Sequence, residues 1–440
     1  MKKVSFRSSF AVIMALLIAA GLVLFIFRYV KDGKTWALYF DEATSNSICT
    51  ISDRNGVVLA KKGQGGQYYA ETAELRKACY HLIGDYSGNI GTGALRMLLG
   101  QASEYSLVTG IKDKESIDLR LTVDSRLNVK AMQALGDRKG AVIVSNYKTN
   151  EILCMVSTPT ADPTELPKEL PKELPDGLFI NRAISSSFTP GSVFKLVTLA
   201  AAIENIDGLY QRSFTCDGDI EVMGVKVTCT GTHGTQTIEQ ALANSCNCVF
   251  GTLALELGAD TLSEYAEKLG FLDSHRLDGI TTAKGSFTKD ESKSAALAWS
   301  GIGQYNDMVC PYSMLRCVSA IANAGKLTEP SLVGNENKTT QLLSEETAGK
   351  IASMMNYNVV YKYGEENFPG LKISAKTGTA ELGDGLEPHG WFVGFLNDEE
   401  HPYAFTVIVE NGGTGLYSAG AVAYEVLKAA VDYDDSGDNT

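Results

Sequence analysis

Ser192 and Lys195 stand three residues apart at the head of an apolar run, SVFKLVTLAAAIE. Pro190 and Gly191 break whatever precedes them. The run itself holds three alanines and neither glycine nor proline, a helical pattern. In a helix the hydroxyl and the amine share one face of the first turn, where free backbone N–H groups point outward. That combination suits an activated nucleophile: a neutral lysine takes the serine proton, and N–H groups stabilise the charge that develops on an attacked carbonyl.

The S-x-x-K string recurs at Ser145/Lys148 and Ser286/Lys289. Neither opens an apolar helix, since the first lies in a polar turn after AVIVS and the second in a charged, loop-like stretch. About fifty residues beyond Ser192, Ser245 and Asn247 follow a helical stretch; on a loop they offer a hydroxyl relay and an amide that grips a substrate backbone. S-x-N also occurs at Ser87/Asn89. Lys376-Thr377-Gly378 occurs once, inside a run from Leu371 to Glu381 that alternates like a strand.

The elements that must hold these residues follow from periodicity. A helix is expected over Ser125 to Leu135, then strands AVIVS and EILCMVS. The run around Lys376, with His389 to Phe395 and Tyr403 to Glu410, makes an antiparallel meander. Tyr417 to Val431 closes as an amphipathic helix, and Asp432 to Thr440 reads as a disordered acidic tail. Prolines every four residues make Glu165 to Asp176 an extended surface loop. Upstream, Ile51 to Ala60 reads as a hairpin around Arg54-Asn55-Gly56. Residues 35–118 then form a small non-catalytic pedestal, in which His81 has no ligand-spaced partner and is structural.

The chain has 440 residues, room for two or three domains, with 44% hydrophobic and 21% charged residues. A net charge of −13 and a pI near 5.0, with no basic stripe, exclude nucleic acid as a partner. Phe10 to Phe27 carries no charge and lacks the small residues of a peptidase site at its end, so residues 1–34 read as a cytoplasmic tip with an uncleaved membrane anchor. Basic residues on its two sides balance, so charge leaves orientation open and the cytoplasmic placement of the tip rests on the chemistry that the motifs carry. Nine cysteines cannot all pair. The absence of a C-x-x-C pair speaks against zinc, so no metal or cofactor is expected. Cys216 and Cys229 bracket a hairpin-like segment and read equally as a disulfide or as buried free thiols.

Ser192/Lys195, Ser245/Asn247 and Lys376/Thr377/Gly378, in that order, resemble the signature of penicillin-binding proteins. The words NRAISSSFTPGSVFK, ALANSCNCVF and AKTGTAE, over residues 119–431, are similar to the class B members with a short pedestal. The resemblance implies an α+β transpeptidase domain, a five-stranded antiparallel sheet flanked by helices, after a transmembrane helix and the pedestal. It implies that Ser192 attacks D-alanyl-D-alanine stem peptides of peptidoglycan. It also implies Lys195 as base, its pKa lowered by cationic Lys376, Ser245 as proton relay and Asn247 as peptide clamp. Backbone N–H groups of Ser192 and Thr379 form the oxyanion hole, and Lys376, Thr377 and Thr379 hold the terminal carboxylate. β-Lactams acylate the same serine, a membrane glycosyltransferase is the expected partner, and the catalytic domain lies outside the plasma membrane. The motifs leave a D,D-carboxypeptidase, a β-lactam sensor and a structural partner open as alternatives.

Overall fold

A computed structural model describes residues 8–27, 48–63, 66–101, 103–106, 110–113, 116–167, 173–289, 294–335, 338–383 and 385–436. The described chain divides into two units. The first contains helix α1 (Ser8–Phe27), 20 residues of which the most apolar 18 have a mean hydropathy of 3.0, long and apolar enough to cross a membrane. It encloses the expected run Phe10 to Phe27; the basic residues counted on either side lie outside the described residues. A hairpin of Ser103–Ser106 and Gly110–Asp113 also belongs to this unit.

The second unit comprises 50–61, 67–97 and everything from Asp118 onward. The runs predicted as a hairpin are strands β1 (Ile48–Ser52) and β2 (Val58–Gly63), neighbours in one sheet. Buried Asp53 closes the turn between them. Its carboxylate accepts the N–H groups of Asn55 and Val57 and reaches Ser125 at the start of helix α2 (Ser125–Leu135), accepting from N at 3.1 Å and Oγ at 2.7 Å. His81 is buried and structural, its Nε2 2.7 Å from the Leu178 carbonyl, and burial lowers its pKa to about 4.

The centre of the unit is a five-stranded antiparallel sheet. Its strands are β3 (Gly140–Asn146), β4 (Ile152–Thr158), β7 (Ile373–Ala380), β8 (His389–Leu396) and β9 (Tyr403–Val409), in the order β7-β8-β9-β3-β4. β8 and β9 are buried along their whole length because helices cover both faces, which is why their sequences are nearly continuous apolar runs. Val142 and Val144 pack with Leu127 and Ala131 of α2 and with Val422 and Val426 of helix α8 (Ala421–Ser436). Ser145, on the alternate side of β3, meets Ser319 of helix α6 (Pro311–Ala322), and helix α7 (Glu345–Asn358) packs against α6 and β7.

Helix α8 runs on through Asp432 to Ser436, where the sequence predicts a disordered tail; 437–440 lie outside the described residues. The added turn is held from outside the helix. Asp435 lies 3.2 Å from His401, Tyr403 donates to Asp434, and the Arg126 guanidinium sits 4.7 Å over the Tyr433 ring. Acidic composition alone misses such contacts. Of the proline repeat, 168–172 also lie outside the described residues.

Candidate active site

Three elements converge at the β7 edge of the sheet: a turn leading into helix α3 (Lys195–Asn205), the junction between α4 (Ile238–Ala243) and α5 (Asn247–Lys268), and β7 itself. Ser192 lies in a 3₁₀ turn, Gly191–Phe194, and α-helix begins only at Lys195. The tighter first turn, closed by the Lys195 N–H on the Ser192 carbonyl, replaces the α-helical start expected at Ser192.

Backbone contacts set the position of that turn. Gly191 has φ +56°, and a Cβ there would stand 2.9 Å from the Thr379 carbonyl oxygen. A Cβ on Gly378 would stand 2.9 Å from the Pro190 carbonyl, so turn and strand touch main chain to main chain. The Gly191 N–H donates to the Gly303 carbonyl at 2.8 Å, and Trp391 Nε1 donates to the Thr189 carbonyl at 3.0 Å.

Lys195 is fully buried, and its Nζ lies 2.9 Å from Ser192 Oγ, 2.7 Å from the Ser245 carbonyl and 2.8 Å from Asn247 Oδ1. Asn247 Nδ2 donates to the Thr228 carbonyl at 2.9 Å, which fixes Oδ1 towards the lysine. Nζ therefore faces two acceptors that carry no proton and two hydroxyls, of which Ser192 Oγ at 2.9 Å is nearer than Ser245 Oγ at 3.2 Å. A neutral amine in this frame aims its lone pair at the Ser192 proton. Lys376, also fully buried, donates from Nζ to Ser245 Oγ at 3.0 Å and to the Thr377 carbonyl at 2.9 Å. Ser245 Oγ is in turn 3.2 Å from Lys195 Nζ, so contacts of 3.2 Å or less link both lysines and both serines.

Burial lowers the pKa of Lys195 to about 7, and it lowers Lys376 well below its ordinary value, with the charge of Lys195 adding to the effect. The leading cause at Lys195 is thus desolvation, where the sequence reading assigned it to the charge of Lys376.

The profile of the penicillin-binding protein transpeptidase domain matches residues 140–432. The chain belongs to this family. The curated relatives of this transpeptidase include the peptidoglycan D,D-transpeptidase PbpA of Mycobacterium tuberculosis, 29% identical over 353 residues, 70% of this chain and 72% of that protein. Penicillin-binding protein 3 of Bacillus subtilis is 28% identical over 406 residues, 86% of this chain and 59% of that one. Among solved structures, the penicillin G acyl-enzyme complex of penicillin-binding protein A from M. tuberculosis superposes with a TM-score of 0.72 at 26% identity, over 88% of this chain and all of that one.

The transpeptidase fold also separates the motifs from their copies. Ser145 is buried in β3, and Lys148 Nζ donates to Asn323 Oδ1 instead. Ser286 donates to the Asn306 carbonyl, and Lys289 pairs with Asp260. Asn89 of the second S-x-N is held by the Asp85 carboxylate. Thr377 is half-buried and Thr379 exposed at the end of β7, whose register pairs Thr379 with Gly390 of β8.

Two features escape sequence reasoning. Buried Tyr363 accepts the Thr377 N–H at 3.1 Å and lies 3.2 Å from its hydroxyl, bracing the edge strand from 14 residues upstream. Cys216, Cys229, Cys246 and Cys248 come together, their sulfurs all within 4.8 Å of one another. Cys216 and Cys229 are unpaired, so the disulfide alternative falls; Cys216 is buried and Cys229 half-buried. Only the C-x-C pair flanking Asn247 is a local sign of this group.

Proposed function

We propose that this chain is a membrane-anchored, serine-type peptidoglycan D,D-transpeptidase. The observation that carries the reading is the buried Lys195 Nζ, 2.9 Å from Ser192 Oγ and framed by two carbonyl acceptors. Ser192 Oγ attacks the carbonyl of the penultimate D-Ala and passes its proton to Lys195. Ser245, in contact with both lysines, relays a proton to the departing terminal D-Ala as the C–N bond breaks. An acceptor amine then attacks the acyl ester, its proton returns to Ser192, and the cross-link forms. Backbone N–H groups of Ser192 and Thr379 form the oxyanion hole, Asn247 orients the donor peptide, and Lys376, Thr377 and Thr379 take its carboxylate. The names of the relatives, and a penicillin G adduct solved for one of them, support this reading.

Helix α1 anchors the chain as a single span, with the catalytic domain on the outer side of the plasma membrane, where its substrate lies. Residues 35–118 act as the pedestal, and a membrane-embedded glycosyltransferase supplies the glycan strands.

The test is incubation of the full chain with a D-Ala-D-Ala pentapeptide and an amine acceptor, alongside fluorescent penicillin. Cross-linked dimer and covalent labelling, both abolished in Ser192→Ala, are expected. Hydrolysed tetrapeptide without dimer establishes a carboxypeptidase, and an adduct on another serine removes Ser192 from its role.

A further inference from the structure

The chemistry at Ser192 makes no use of the four-cysteine group, yet three separate elements deliver it. Cys216 ends strand β5 (Phe214–Cys216), Cys229 follows strand β6 (Val225–Thr228), and Cys246 and Cys248 lie at the start of α5. Cys216, Cys246 and Cys248 are buried. The sulfurs of Cys229 and Cys246 are 3.8 Å apart. Four thiolates around one tetrahedral ion, each bonded at about 2.3 Å, stand about 3.8 Å from one another, whereas a disulfide needs about 2.05 Å. The spacing is that of a ligand set.

Polar groups surround the sulfurs as they surround thiolates. The Asn247 N–H donates to Cys229 Sγ at 3.2 Å. Nδ1 of His233 lies 3.5 Å from Cys216 Sγ and 3.6 Å from Cys229 Sγ. An N–H directed at sulfur, as that of Asn247 is at Cys229, favours the deprotonated, metal-binding form and helps fix ligand orientation.

We propose that Cys216, Cys229, Cys246 and Cys248 form a tetrathiolate site for one divalent ion of the zinc class. A closed tetrahedral set of four soft ligands selects zinc, a structural ion with no open position for substrate. Binding displaces the thiol protons to solvent and ties β5, the end of β6 and the start of α5 to a single atom. The tie matters because Cys246 and Cys248 flank Asn247, whose amide spans Lys195 and the Thr228 carbonyl. Ser245, next before Cys246, has φ +53°, a left-handed backbone that serine keeps only when its surroundings hold it.

The experiment uses the full chain in detergent, purified without a metal-binding tag and without chelators. Elemental analysis is expected to give one zinc per chain, and zinc X-ray absorption a shell of four sulfurs at about 2.3 Å. Cobalt exchanged into the same protein is expected to show thiolate-to-metal charge transfer and tetrahedral d–d bands. Cys248→Ser lowers zinc occupancy at least several-fold, whereas Cys310→Ser, a buried thiol outside the group, leaves it unchanged. Cys229→His keeps the ion with three sulfurs and one nitrogen, which separates ligand loss from unfolding. Metal-free protein with four titratable thiols, a mass showing disulfides among these residues, iron in place of zinc, or an oxygen-rich shell each overturns the proposal.

Discussion

Lys376 Nζ donates to Ser245 Oγ at 3.0 Å, and this one hydrogen bond joins the edge strand of the sheet to a turn between two helices, 131 residues away in the chain. The amine is fully buried and stands next to a second buried amine, an arrangement that costs folding energy and gives reactivity in return. Lys376→Ala is expected to slow acylation by fluorescent penicillin about 100-fold, the usual scale for a fixed electrostatic group. Stopped-flow labelling checks this, and near-normal acylation removes Lys376 from the reacting machinery.

Acylation should follow the protonation of Lys195. With its pKa lowered to about 7 by burial, the amine is increasingly neutral above that pH, so the acylation rate rises through pH 7 and levels off above it. Lys195→Arg, whose guanidinium stays charged, is expected to lose at least about 100-fold at every pH. Stability moves the same way. The folded protein binds fewer protons here than the unfolded chain between about pH 7 and 10.5, so this contribution rises with pH across that window and is lost as pH falls through 7. Melting curves should show wild type gaining on Lys195→Met between pH 7 and 9; a constant difference contradicts the burial argument.

Gly191→Ala tests the main-chain contact that sets the nucleophile. Its φ of +56° disfavours any side chain, and the new Cβ meets the Thr379 carbonyl at 2.9 Å with no flexible group to yield. The turn and β7 must separate, and acylation is expected to fall by about 10² or more, since misplacement by 1 Å costs that much. Circular dichroism should show the sheet retained. Wild-type kinetics in this variant would mean the turn has slack that the contact distances deny.

Asp307 offers a test of opposite sign. It is fully buried, Thr288 N donates to its Oδ1 at 2.9 Å, and burial raises its pKa to about 8. The folded state therefore holds this proton where the unfolded chain has released it. The contribution is intact below the ordinary carboxylate range and is lost as pH rises towards and through 8. Asp307→Asn, which cannot ionise, is expected to gain stability relative to wild type from pH 5 to pH 8, by an amount of order a few kcal/mol. Parallel melting curves across that range refute the assignment.

Much of this molecule was legible in one dimension because the signals are local. The apolar run after Ser192, the alternation around Lys376 and the buried strands from His389 and Tyr403 each fix their own element by periodicity. The order of three short motifs then marked the residues that converge. The false copies at Ser145 and Ser286 were recognisable too, since neither precedes a helix.

Other properties depend on neighbours that are distant in sequence. That burial rather than the charge of Lys376 lowers the pKa of Lys195, that Tyr363 braces Thr377, and that Asp434 and Asp435 are held in a helix all follow from packing. The cysteines make the point most sharply. Spacings of thirteen, seventeen and two residues match no local ligand pattern, yet two strand ends and a helix start bring four sulfurs within 4.8 Å. Residue types and their periods determine which chemistry a chain carries. Desolvation, and proximity between segments far apart along the chain, exist only once it has folded, and these decided which lysine can serve as a base and which thiols can share one ion.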